Sequence, residues 1–140
     1  MINAIQNGTK KGISMTIKLS KVTIPIYIII KILELTPFFL YLSKFFSPVM
    51  KIFNLPGEAA LPLVLGNCLN VYAGIGAMSA LNLNSNQITT LAIMISFSHT
   101  LFLETAVIKQ VKVDAIKMVF LRIGTAIIFG ILTGQLLGGN

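Results

Sequence analysis

Four long apolar blocks divide the chain, and they limit its possible folds more than any other feature. They cover residues 23–42, 55–83, 87–108 and 115–137. Each is near or above the roughly 20 residues that an α-helix needs to cross about 30 Å of hydrocarbon. Hydrophobic residues make up 55% of the 140 residues and charged residues only 11%, which is more apolar surface than a soluble domain of this length needs. The sequence therefore predicts an all-α integral membrane protein in contact with the lipid bilayer.

The net charge of +7 fits membrane topology better than nucleic-acid binding. Lys and Arg accumulate on the cytoplasmic side of membrane proteins, and most of the cations here lie in clusters. The first apolar block is too long for the core of a signal peptide and has no small-residue cleavage site after it. We therefore expect a multi-pass protein of the cell inner (plasma) membrane, with a basic cytoplasmic arm at 1–22 and no nucleic-acid partner.

Residues 55–84, LPGEAALPLVLGNCLNVYAGIGAMSALNLN, decide the topology, because they either cross the bilayer or enter and return. If they cross, a cytoplasmic N-terminus places the cationic cluster of 109–117 outside, against the positive-inside tendency. If they re-enter, eight cationic residues lie inside and two outside. The eight are Lys10, Lys11, Lys18, Lys21, Lys109, Lys112, Lys117 and Arg122, and the two are Lys44 and Lys51. The charge distribution favours re-entry over a single Gly-rich spanning helix.

The composition of this stretch agrees with a helical hairpin. Two limbs of about ten residues each reach about 15 Å, half the hydrocarbon depth, and their Gly and Ala residues allow close packing. The segment SKFFSPVMKIFN is too short to span and suits a helix lying in the interface. The predicted fold is three transmembrane helices (23–42, 87–108 and 115–137), an interfacial helix (43–54) and a re-entrant hairpin (55–84), with an external C-terminus.

Polar residues of the third block share one helical face. On a straight helix Thr89, Ser96, His99, Thr100 and Glu104 fall within less than half of the circumference. Ionisable residues at membrane depth usually face a bundle interior or a wet cavity. We expect the last four of these residues to bind a solute, with His99 and Glu104 able to carry protons. In the alternative, the hydroxyls bond to their own helix backbone and His99 only holds neighbouring helices together.

Two asparagines lie near the predicted hairpin tip. Asn67 and Asn70 offer amide donors and acceptors near the bilayer midplane, where the free N–H groups of the second limb favour an electron-rich group. We expect both to contact a solute, while helix capping is the equally weighted alternative. Cys68 is expected to be a small buried apolar residue, and as the single cysteine it cannot form an internal disulfide.

Glycines repeat at four-residue intervals in the fourth block, at Gly130, Gly134 and Gly138. Such spacing is typical of a close helix-packing face, used either within the chain or by a partner. One histidine and four acidic residues leave too few ligands for a zinc or haem site, so we expect no metal and no cofactor. Since no nucleophile–base pair or phosphate loop is evident, we expect no enzymatic activity.

The order of these elements, with the stretches NLPGEAALPLVLGNCLNVYAGIGA and ISFSHTLFLETAVIKQ, resembles the nucleoside-recognition or Gate domain family over residues 24–137. That family is related to concentrative nucleoside transporters and to Gate segments of the bacterial ferrous-iron transporter, and it includes the spore maturation A and B proteins. In the nucleoside transporters, re-entrant hairpins and unwound helices from two inverted repeats form the substrate site. The resemblance implies that this chain is one such repeat.

The function implied by the resemblance is a transport module, ion- or proton-coupled, that forms half of a pathway for a small polar solute. Nucleosides are favoured, and ferrous iron stays open although Gly66-Asn67-Cys68 departs from the iron transporter's Gly-Cys-Asn element. The alternative is a non-transporting assembly or scaffold component of the spore-maturation type. The charge bias predicts one fixed orientation, so we expect a second, oppositely oriented Gate-type membrane protein as partner, or a parallel homo-oligomer.

Overall fold

A computed structural model describes residues 2–101, 104–105, 108 and 114–138, and every regular element among them is a helix. The α-helices are α1 (Ile2–Glu34), α2 (Pro37–Met50), α3 (Ala60–Cys68), α4 (Val71–Ala80), α5 (Ser85–Ser98) and α6 (Ala115–Leu137), with short 3-10 turns at Lys51–Phe53 and Gly57–Ala59. The prediction of an all-α fold is confirmed. Lys109 and Lys112, which carry part of the predicted inner-side charge, lie outside the described residues, as does the extreme C-terminus.

Two described helices are long and apolar enough to cross a membrane, the stretch Ile5–Glu34 of α1 and the whole of α6. Only 6% of the most apolar window of α1 and 17% of that of α6 are buried within the chain. Most of their apolar side chains therefore point away from the protein's own core.

The boundaries of the first two helices differ from those predicted. α1 runs without interruption through residue 23, where we expected the basic arm to end and the first span to begin. It ends at Glu34, because Pro37 opens the next helix and proline disfavours helical backbone in the residue before it. Thr36 is accordingly extended, and α2 starts six residues before the predicted interfacial helix at 43.

A tight helical hairpin follows α2. Its limbs are α3, with 9 residues, and α4, with 10 residues, joined by a turn at Leu69 and Asn70. The turn contains Asn70, one of the two asparagines predicted near the tip, and begins two residues after Asn67, the other. The limbs approach so closely that a Cβ atom on Gly74 would lie 3.1 Å from the carbonyl oxygen of Pro62. Glycine at this position therefore allows the two limbs to pack.

The hairpin packs against α1 on one side and α5 on the other, so that the helices follow the spatial order α1, α4, α3, α5, α6. Gly76 of α4 lies against the backbone of Thr23, and Ile30, farther along α1, is buried in a cluster with Ala80 and Leu81. α1 and α4 therefore run in the same direction. A larger apolar core joins the end of α2 to the hairpin and α5, and consists of Met50, Phe53, Leu55, Ala59, Ala60, Met78, Leu91, Met94 and Ile95.

α5 and α6 pack as an antiparallel pair. The side chain of Asn86, near the start of α5, donates to the carbonyl of Leu137 at 2.7 Å, while Arg122 of α6 contacts the far end of α5. α5 begins with a capping box, in which Asn84 and Gln87 each accept a hydrogen bond from the other's backbone N–H. The antiparallel packing of α5 and α6 places the start of α5 beside the end of α6.

The glycine face of α6 is occupied within the chain. Gly130 lies against the side chains of Met94 and Phe53, Gly134 against the backbone of Phe53, and Gly138 against the side chain of Asn54. The Asn54 side chain also donates to the Gly134 carbonyl at 3.0 Å, and its backbone is left-handed with φ 55°, a conformation that Asn tolerates. The turn at Phe53 and Asn54, which leads into the hairpin, thus packs directly against α6.

Candidate functional site

The polar segment after α5 is the point where the structure departs most from a simple spanning helix. α5 ends at Ser98, His99 is extended with ψ 154°, and Thr100 is left-handed with φ 49°. Helical hydrogen bonding resumes at Glu104, whose N–H donates to the Thr100 carbonyl at 3.0 Å. The predicted straight helix over 87–108 is therefore interrupted at His99 and Thr100, and we call this interruption the break. The polar face predicted for a straight helix does not continue across it.

The guanidinium of Arg122 fills this break from α6. Its Nε donates to the carbonyl of Phe97 at 2.9 Å and its Nη2 to the carbonyl of His99 at 3.0 Å. Nη1 pairs with the carboxylate of Glu104. Nη2 also lies 3.1 Å from Nδ1 of His99, and because a guanidinium only donates, Nδ1 is the acceptor and the imidazole proton is on Nε2.

Electrostatics explain why an arginine suits this position. The last carbonyls of a helix have no intrahelical partners and carry the negative end of its dipole, and here the Glu104 carboxylate adds a full negative charge. Arg122 compensates both, with a side chain only 14% exposed. Thr100 adds a further hydrogen bond, from its Oγ1 to Glu104 Oε1 at 3.1 Å. The break is therefore a compact polar cluster of Arg122, Glu104, His99 and Thr100.

The hairpin reaches the same place. The N–H of Thr100 donates to the carbonyl of Gly66 in the last turn of α3, at 3.1 Å. Gly66 also packs closely on α5, since a Cβ atom there would lie 3.3 Å from the side chain of Ile95. The next residue, Asn67, has a buried Oδ1 with no hydrogen-bond partner among the described residues. The residue after the Gly66 that bonds the break thus carries an unused acceptor.

The structure brings only some of the predicted solute-binding residues to this cluster. His99, Thr100 and Glu104 are in direct contact with one another or with Arg122. Asn67 is linked to them only indirectly, as the residue after Gly66, whose carbonyl accepts from the Thr100 N–H. Asn70 instead caps α4, accepting from the Ala73 N–H at 3.0 Å.

The remaining predicted residue, Ser96, also has a local partner. It is exposed and donates to the carbonyl of Ala92 at 2.7 Å, and Thr89 makes the equivalent bond to Ser85. These are the bonds of the alternative in which hydroxyls pair with their own helix. The described contacts of Arg122 do not include Ser96.

Arg122 is the residue that the sequence interpretation missed. The charge distribution assigns it to the eight inner-side cations, although it lies inside the apolar helix α6, seven residues after Ala115. An isolated arginine within an apolar helix is costly unless it has a partner, and Glu104 in the preceding block was an available carboxylate. Pairing these two charges would have identified the contact from sequence.

A second polar feature lies at the opposite end of the α5–α6 pair. It is a cleft of about 140 Å³ lined by Phe53, Asn54, Asn84, Asn86, Gln87, Thr90, Gly134, Leu137 and Gly138. Its polar lining is formed by amides, one hydroxyl and helix-end carbonyls, and none of the lining residues is charged. Two of the amides hold the end of α6 through the bonds to Gly134 and Leu137. We base the candidate site on the break, because the charged groups converge there.

Comparison with known proteins places both the hairpin and the break in a recognised family. The Gate family, described as nucleoside recognition, matches residues 16–112. The chain is also similar to the uncharacterized membrane protein YvoD of Bacillus subtilis (strain 168), with 38% identity over 133 residues. That alignment covers 95% of this chain but 43% of the relative, so the chain spans less than half of the relative's length. No solved structure matches.

Proposed function

The chain belongs to the Gate family of nucleoside-recognition domains and is a membrane protein, and on this basis we propose that it forms one half of a transport pathway for a small polar solute. Nucleosides are the solute class that we propose first, because nucleoside recognition is the description the family carries. The proposed role is binding and passage of the solute, coupled to protons or another ion, without an enzymatic step.

The observation that carries this proposal is the meeting of the hairpin with an interrupted helix. Phe97 lies 12 residues after Ser85, about 18 Å along α5 and thus well inside a bilayer of about 30 Å. Non-helical backbone at such a depth is tolerated only where protein buries it or where it lines a polar cavity. In transporters, half-helix ends of this kind contact the substrate and the coupling ion.

The groups at the break have the chemistry to bind an uncharged polar solute. We propose that the Nε2–H of His99 donates to a base or sugar oxygen, and that the free Oδ1 of Asn67, the residue after Gly66, accepts from a solute hydroxyl or amino group. Glu104 and Arg122 neutralise one another, which lowers the cost of keeping both at membrane depth. Protonation of Glu104 would weaken its hold on Arg122 and so offers a route to proton coupling.

The direction of the helices supports the re-entrant topology. Since α1 and α4 run in the same direction, the hairpin returns to the side on which α1 ends. α5 starts on that side, and α6, antiparallel to it, ends there. We therefore propose three spans and one re-entrant hairpin in the cell inner (plasma) membrane, with the N-terminus in the cytoplasm.

Charge and packing also bear on the partner. With Arg122 engaged at the break, seven inner-side cations remain against Lys44 and Lys51, so the predicted orientation is unchanged. The glycine face of α6 is already filled by Phe53 and its neighbours. We propose a second, oppositely oriented Gate-type protein as partner, because an inverted pair encloses a midplane site that a single repeat leaves open.

Uptake by the purified protein in proteoliposomes tests the proposal. The protein is reconstituted alone and with the partner that co-purifies from its native membrane, and radiolabelled nucleosides are offered with and without a sodium or proton gradient. We expect Glu104→Gln to reduce uptake at least tenfold and Glu34→Gln, which alters a similar pair with Lys31 at 2.9 Å, to leave it nearly unchanged. Equal uptake by wild type and Glu104→Gln would remove the break from the pathway.

A scaffold function is the second candidate, and the saturation of Arg122 favours it. The guanidinium of Arg122 has five N–H donors, and four of them are engaged in hydrogen bonds at the break. Few donors are therefore left to bind a solute. A scaffold would show no uptake for any nucleoside, and Glu104→Gln would leave its native complex intact. Native mass spectrometry of the complex beside the uptake assay separates the two functions.

A further inference from the structure

The N-terminal part of α1 extends beyond the packed domain. Residues 5–18 are all exposed, and the helix first becomes partly buried at Leu19. α1 has 33 residues and is therefore about 50 Å long, whereas the hydrocarbon layer is about 30 Å thick. At least one third of this helix is thus available to contact something other than the chain's own core or the acyl chains.

Four lysines form a stripe along this extension. At 100° per residue, Lys10, Lys11, Lys18 and Lys21 fall within an arc of about 100°, and Asn7 and Ser14 fall within the same arc. All four lysines are exposed, and the first carboxylate on the helix is Glu34. Large apolar side chains, also exposed, occupy the other directions: Ile5, Ile13, Met15 and Ile17. The extension is therefore amphipathic, with a narrow cationic face.

The depth of the stripe matches the headgroup layer. Measured back from Glu34, a span of about 30 Å ends near Ser14, so Lys10 and Lys11 lie just beyond the hydrocarbon. Lys18 and Lys21 lie one to two turns inside it. Helical side chains lean toward the helix N-terminus, and lysine stems extend along apolar surroundings to bring their ammonium groups to the interface. The four positive charges therefore converge on one layer.

We propose that this lysine stripe (Lys10, Lys11, Lys18 and Lys21) binds the phosphate groups of anionic phospholipids. Lysine ammonium groups attract anionic headgroups, and the exposed Met15 and Ile17 beside the stripe lie at the depth of the acyl chains, which they fit better than water. A lipid supplies both partners at once, whereas a soluble acidic protein supplies only the charge. The inference goes beyond the solute pathway and depends on the proposed topology for the span that ends at Glu34 and for the leaflet involved.

Lipid titration in neutral detergent tests this binding without regard to insertion orientation. The variant Lys10→Gln/Lys11→Gln/Lys18→Gln is compared with Lys44→Gln/Lys51→Gln/Lys117→Gln, which removes the same charge from exposed lysines outside the stripe. Native mass spectrometry counts bound phosphatidylglycerol and phosphatidylcholine. We expect a preference for phosphatidylglycerol in wild type and in the control variant, and a loss of affinity of roughly fivefold per lysine in the stripe variant.

Further arms separate lipid binding from a folding defect and from a simple anion site. Lys10→Arg/Lys11→Arg/Lys18→Arg should retain the preference, 0.5 M NaCl should abolish it, and 10 mM inorganic phosphate should not compete. Equal binding of phosphatidylglycerol by the stripe and control variants would overturn the proposal. So would equal affinity of the wild type for the two lipids, or displacement of the lipid by phosphate or by an acidic peptide.

Discussion

The N–H of Thr100 donates to the carbonyl of Gly66 at 3.1 Å, which joins the interrupted helix to the last turn of the first hairpin limb. Both partners are backbone groups that a continuous α-helix would use differently. Thr100 is free to turn outward because its φ of 49° breaks the helical register. The hairpin and the break are consequently one unit, and a movement of α3 relative to α5 must change the backbone at the break.

Asn67 and Asn70 should respond differently to the same substitution. Asn67→Ala removes a buried oxygen without a hydrogen-bond partner, so we expect no loss of thermal stability but a large loss of nucleoside binding. Asn70→Ala removes the N-cap of α4 and should destabilise the protein by about 1 kcal/mol. Circular dichroism melts and equilibrium binding of a labelled nucleoside measure the two effects. A melt lowered equally by both changes would give Asn67 a structural role.

Arg122→Gln should be among the most destabilising single changes. It leaves the carbonyls of Phe97 and His99 and the carboxylate of Glu104 without their main donor. We expect a loss on the order of 3 kcal/mol, the low end for a broken buried pair, because Glu104 remains 39% exposed. Thermal unfolding in detergent provides the measurement.

Two control variants accompany the Arg122 change. Arg122→Lys keeps the charge but not the planar fork of donors, so its stability should lie between those of wild type and Arg122→Gln. Lys117→Gln alters a cation whose side chain is 86% exposed and should leave the unfolding midpoint within error. If Arg122→Gln behaves like Lys117→Gln, the contacts of Arg122 with the break contribute little to stability.

Two glycines inside helices should show opposite effects when replaced by alanine. In Gly76→Ala the new methyl would lie 2.9 Å from the backbone oxygen of Thr23, so α1 and α4 must separate, and we expect destabilisation of roughly 1–3 kcal/mol. Gly124→Ala meets nothing within 4 Å and should stabilise α6 by up to about 1 kcal/mol. Melting curves of both variants test this, and a neutral Gly76→Ala would mean that α1 is less tightly packed than described.

Cysteine accessibility checks the topology in whole cells. In a Cys68→Ala background, Ser85→Cys should react with a membrane-impermeant maleimide added outside, because in the proposed topology the hairpin returns to the outer side before α5. Ser14→Cys and Lys117→Cys should react only after permeabilisation. A crossing at 55–84 predicts the reverse result for Ser85→Cys, so this single position decides between the two arrangements.

Much of the helical framework could be predicted from the sequence, because local signals determine it. Pro56 and Gly57 precede the hairpin, and small residues fill its second limb, so two short packed helices follow from composition. The start of α5 is a local event too, since Asn84 and Gln87 have the spacing of a capping box. These features require only neighbours in sequence.

The break could not be predicted in the same way, because distant residues create it. Neither proline nor glycine lies at Ser98-His99-Thr100, so the sequence has no local signal that ends the helix there. The backbone turns because Arg122, 25 residues after Phe97, binds the exposed carbonyls, and because Gly66 accepts from Thr100. The single Arg within the apolar α6 is the sequence signal for this contact, because a charge at that depth requires a partner.

The shortness of α3 and α4 has a consequence for how the protein is made. Helices of 9 and 10 residues are too short to be inserted one at a time as spans, and their buried Gly and Ala faces need α1 and α5 beside them. In the proposed topology the hairpin can therefore complete its packing only after α5 has been synthesised, because α1 and α5 form the two sides of its site. Biogenesis would then include a late packing step that follows insertion of the neighbouring helices.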